Sequence, residues 1–153
     1  MKSLKKFPVS AFLYAGATVL SLLGFIFVLV TNSVQGNDLG SSSGLGITFA
    51  VFSLLLSACG VFVTIRFGNK FWAPIVHLLA VGLNGFLFGF ILLNRVELVS
   101  SLFTWDSNNS LGWTAFSTAV VAIVFYVLAS LLITVGMFLP QEKKTDNTEE
   151  VAA

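Results

Sequence analysis

Charge is what this chain has least of. Lysine, arginine, aspartate and glutamate make up 10% of its 153 residues, where soluble domains carry roughly 25%, and that deficit excludes an ordinary water-soluble domain. Cysteine occurs once, at Cys59, and histidine once, at His77. A single cysteine cannot form an intrachain disulfide. One histidine with one cysteine cannot assemble a conventional zinc or iron site within one chain. The net charge of +1 gives no basic field for nucleic acid. No cofactor, metal or nucleic-acid partner is expected.

What fills the chain instead is apolar. Hydrophobic residues make up 56% of it, gathered into four runs with short connections. A bilayer core of about 30 Å needs roughly 20 apolar residues in a helix, which places spans at about residues 9–31, 46–66, 71–94 and 112–139. The expected fold is an all-α, polytopic integral membrane protein, an antiparallel bundle of four transmembrane helices occupying residues 1–140. Residues 141–153 are polar and too poor in apolar side chains to fold alone, and are expected to form a disordered tail. The basic start followed by an apolar run resembles a signal peptide, but the run continues past the 7–15 residues of a signal core. It is read as an uncleaved helix. Gly68 is placed to close the second span in a tight turn, and Pro74 falls in the first turn of the third, where its missing amide hydrogen costs nothing.

Lysine and arginine near span ends fix orientation. Lys2, Lys5, Lys6, Arg66, Lys70, Lys143 and Lys144 fall on one side of a four-span arrangement and only Arg95 on the other, so both termini are expected to be cytoplasmic and the membrane to be the plasma membrane. Trp72 falls at the inner interface and Trp105 and Trp113 at the outer, where indoles prefer to sit. Two fragments recur in order: Asn32-Ser33-Val34-Gln35 with Leu45-Gly46-Ile47-Thr48, and Asn94-Arg95-Val96-Glu97 with Leu111-Gly112-Trp113-Thr114. Tandem duplication of a helical hairpin and chance both account for them. The first external loop, Gly36 to Gly44, reads as flexible. The second, Leu98 to Ser110, carries Leu102, Phe103 and Trp105 and is expected to lie on the membrane surface or against a partner.

Lipid tails give helices no hydrophobic reason to associate, so membrane bundles rely on small residues and occasional polar side chains. Ser10, Ala17, Ser21 and Gly24 share a face of the first span, and Ser53, Ser57, Gly60 and Thr64 share one of the second. The third has Gly82, Gly85 and Gly89; the fourth has Ala115, Ala119, Ala122, Ala129 and Gly136. These read as intramolecular packing faces, with Gly82, Gly85 and Gly89 the candidate interface to an oligomer or partner. Cys59 reads as a small packing residue. At 100° per residue His77, Asn84 and Arg95 lie within about 20° of one another, forming a polar line on the third span. The individual expectations are a bonded neutral imidazole for His77, an interhelical hydrogen bond for Asn84 and an interface anchor beside Glu97 for Arg95. Polar groups at membrane depth are functional candidates.

The apolar runs contain no aspartate or glutamate, which argues against an ion-coupled carrier such as the four-span small multidrug exporters. The paired external cysteines of claudins and tetraspanins are missing too. Asn108-Asn109-Ser110 fits the glycosylation pattern. Asp38, Glu97 and Asp106 have no evident base or metal partner, so the chain reads as a non-enzyme. The expected function is an accessory or assembly subunit acting through helix packing, with the lipid bilayer and a larger membrane protein or a second copy as partners. The alternative is a small oligomeric channel or facilitator lined by His77, Asn84 and the hydroxyls of Ser53, Ser57 and Thr64.

Overall fold

The computed structural model describes residues 8–36, 42–67 and 71–139. The readings made on Gly68, the residues after Leu139, Asp38 and the basic residues of the amino terminus lie outside the described residues. Four helices follow in order: α1 (Val9–Ser33), α2 (Ser43–Phe67), α3 (Trp72–Thr104) and α4 (Ser110–Phe138). Each is long and apolar enough to cross a membrane, and the chain is an integral membrane protein built as a four-helix bundle. In the most apolar 18-residue stretch of each helix only 28% of residues are buried. The outer surface is therefore dominated by leucine, valine and phenylalanine that water would not tolerate.

The helices form a ring in which each packs against its two sequence neighbours and α4 closes back onto α1. The sequence periodicity explains the closure. Apart from Ala11, buried positions in α1 are Ser10, Tyr14, Ala17, Ser21, Gly24, Val28 and Thr31, and in α2 they are Gly46, Ala50, Ser53, Ser57, Gly60 and Thr64. These steps alternate four and three. The same alternation runs through Ala73, His77, Ala80, Asn84, Leu87 and Ile91 in α3 and from Gly112 to Gly136 in α4. A repeat of 3.5 residues keeps one seam facing the same neighbours along the whole helix. Most seam residues are small, so backbones approach closely and dispersion replaces the absent hydrophobic drive.

Close approach is visible where large side chains lie on glycines of the adjacent helix. A Cβ at Gly136 would meet the Tyr14 ring at 2.8 Å, and one at Gly24 would meet the Tyr126 ring at 3.0 Å. The α1–α4 pair is thus locked by two reciprocal tyrosine-on-glycine contacts. A Cβ at Gly46 would likewise meet Phe90 at 2.7 Å, one at Gly60 would meet His77 at 2.8 Å, and one at Gly112 would meet Leu102 at 2.9 Å. Gly82, Gly85 and Gly89 differ: a Cβ at any of them would meet nothing within 4 Å. The intramolecular packing expected of this stripe is therefore corrected. The seam of α3 runs through Asn84, Leu87 and Ile91, and the three glycines lie roughly 100–160° away from Asn84 around the helix, on the outer surface.

The segment after Asn94 also departs from expectation. The residues expected as a loop are largely helical: α3 runs on to Thr104, while Phe103 and Trp105 stay exposed. Its 33 residues make a rod of roughly 50 Å at 1.5 Å per residue, longer than the hydrocarbon core, so the helix continues beyond the apolar stretch that marks the span. Leu102 anchors the extension by packing, fully buried, on Gly112. Phe103 meets Trp113 edge-on with ring centroids 5.2 Å apart. Asn109 caps α4: its Oδ1 accepts from Gly112 N at 2.8 Å and its Nδ2 donates to Asp106 Oδ2 at 2.7 Å. Asn109→Ala is expected to lower stability by about 1 kcal/mol, read as an earlier transition on titrating detergent-solubilised protein with SDS; an unmoved transition would show that the cap contributes nothing. The repeated fragments occupy unlike places, since α1 ends beside Asn32 whereas α3 continues well past Asn94.

Candidate functional site

The polar residues of the spans gather on the bundle axis in four layers. Nearest the end that carries the amino terminus of α1, the Tyr14 and His77 rings stack with centroids 3.8 Å apart and planes 13° from parallel. His77 Nε2 and Thr64 Oγ1 are 3.0 Å apart, a hydrogen bond whose direction follows the imidazole tautomer. Gly60 makes room for the imidazole. The layer therefore joins α1, α2 and α3. One layer on, the Ser21 and Ser57 hydroxyls lie 3.3 Å apart and link α1 to α2.

The third layer lies at mid-depth. Asn84 is fully buried, and its Oδ1 accepts a hydrogen bond from the Ser53 hydroxyl. Tyr126, also fully buried, stands over Gly24. Two polar atoms at this level, Asn84 Nδ2 and the Tyr126 hydroxyl, have no hydrogen-bond partner. In an apolar surrounding an unmet donor of this kind costs a few kcal/mol.

The fourth layer closes the opposite end. Arg95 is only 4% exposed, and its Nη2 donates to both the backbone oxygen and Oγ1 of Thr31, each at 2.9 Å. The Thr31 hydroxyl donates in turn to Ala115 O at 2.8 Å. One threonine thus joins α3, α1 and α4. The expectation of an interface anchor beside Glu97 is replaced by an inward guanidinium, because Arg95 continues the seam while Glu97, roughly 200° further round the helix, is exposed. A cation at the last turn of α1 also complements the carbonyl end of that helix.

The structure therefore brings His77, Asn84 and Arg95 onto the bundle axis, and places Gly82, Gly85 and Gly89 on its outer surface. Within one chain Ser53 is bonded to Asn84 and Thr64 to His77 across the α2–α3 seam, and Ser57 to Ser21 across the α1–α2 seam. Sequence reasoning had no signal for Thr31 or Tyr126 as axial residues except their position in the 3.5-residue repeat. Cys59 is exposed, not packed inside. Among the described residues no group of three histidines, cysteines or carboxylates could hold a metal ion.

Beside the third layer a groove of about 240 Å³ opens sideways between α3 and α4, lined by Asn84, Gly85 and Phe88 on one wall and Tyr126, Ser130 and Thr134 on the other. A more open depression of about 390 Å³ between α2 and α3 is wholly apolar, lined by Phe49, Phe86, Gly82 and leucines of both helices. Comparison with known protein families, characterised proteins and solved structures finds no match.

Proposed function

We propose that this protein is a non-enzymatic accessory or assembly subunit that works by lateral helix packing. The observation that carries the reading is the contrast among its glycines. Those at the seams lie under neighbouring side chains, whereas Gly82, Gly85 and Gly89 leave an open strip on α3. Small residues at spacings of three and four let a second backbone approach closely enough for van der Waals contact and weak Cα–H hydrogen bonds. The complementary surface belongs to a larger membrane protein or to a second copy of this chain. Replacing Gly85 and Gly89 together by leucine is expected to leave helix content and monomer stability unchanged while abolishing co-purification or self-association in native gels. Intact assembly in that variant would sink the proposal. Solute flux through liposomes holding the purified protein would point instead to an oligomeric channel.

The host membrane is proposed to be the plasma membrane with both termini cytoplasmic, supported by the placement of seven of eight basic residues near the same ends of the spans. A phosphatase active only outside the cytoplasm is expected to be active when fused after Asn37 and silent when fused after Arg66. The reverse pattern would invert the orientation.

A further inference from the structure

We draw no further inference here: the strongest candidate, the apolar depression of about 390 Å³ between α2 and α3 beside Gly82 and Phe86, carries none, because nothing in the structure shows what covers it.

Discussion

Gly136→Leu is expected to prevent the bundle from closing, leaving protein that inserts into the membrane but runs as a heterogeneous species on size exclusion. The Tyr14 ring occupies the space a side chain would need, with Cε1 at 2.8 Å and Cζ at 3.0 Å from the position of a Cβ. Even alanine there overpacks the contact, at a cost of about 1–3 kcal/mol, which outweighs the gain of up to about 1 kcal/mol that alanine brings over glycine in a helix. The test lies in sign as well as size. Gly82→Ala meets nothing within 4 Å, so the propensity gain stands alone and that variant is expected to be neutral or slightly more stable. Shortening the opposing ring in a Gly136→Ala, Tyr14→Leu double variant is expected to recover part of the loss. If Gly136→Ala and Gly82→Ala shift the SDS unfolding midpoint alike, the tyrosine-on-glycine lock does not hold α1 to α4.

Thr31→Val is the second large effect, at about 3 kcal/mol. Valine keeps the shape of threonine but removes an oxygen that accepts from Arg95 and donates to Ala115. The loss removes the Thr31 hydrogen bond between α1 and α4 and leaves a buried guanidinium with one acceptor fewer, which is the costly half of the change. Thr31→Ser restores the hydroxyl and is expected to recover most of the stability. Arg95→Leu is expected to cost less than Thr31→Val, since it removes the charge together with its need for partners. If Arg95→Leu proves the more damaging, the charge itself is the stabilising element and Thr31 only accompanies it. Both are read in the same unfolding series, with helix content checked before titration.

How far each of these residues could be read in advance differs for a physical reason. Hydropathy located four spans because burying backbone in lipid demands long apolar helices. The basic residues lie at or beyond the ends of the apolar stretches for the same cause. The small residues in α1, α2 and α4 pointed correctly to packing faces, and the angular grouping of His77, Asn84 and Arg95 is a property of the helix alone. The partners were not legible. Thr31 and Arg95 are separated by 64 positions, and nothing local to either one names the other. The α3 extension is not legible in the sequence because Glu97, Ser100 and Ser101 end the apolar pattern, although a helix stops for want of hydrogen bonding or packing, and Leu102 on Gly112 supplies the packing.

The sequence by itself determined that this protein lives in a membrane as four helices, that charge is kept out of their apolar cores, and that each helix carries a stripe of small or polar residues. Only the tertiary structure decided which stripe faces which neighbour. In water the two sides of a helix differ in polarity and the apolar side turns inward. In a bilayer the surroundings are as apolar as the core, so hydropathy cannot tell a seam from an outer face. That choice fell to shape: rings that fit over Gly24, Gly60 and Gly136 turned those positions inward, and left Gly82, Gly85 and Gly89 facing outward with an open groove beside them.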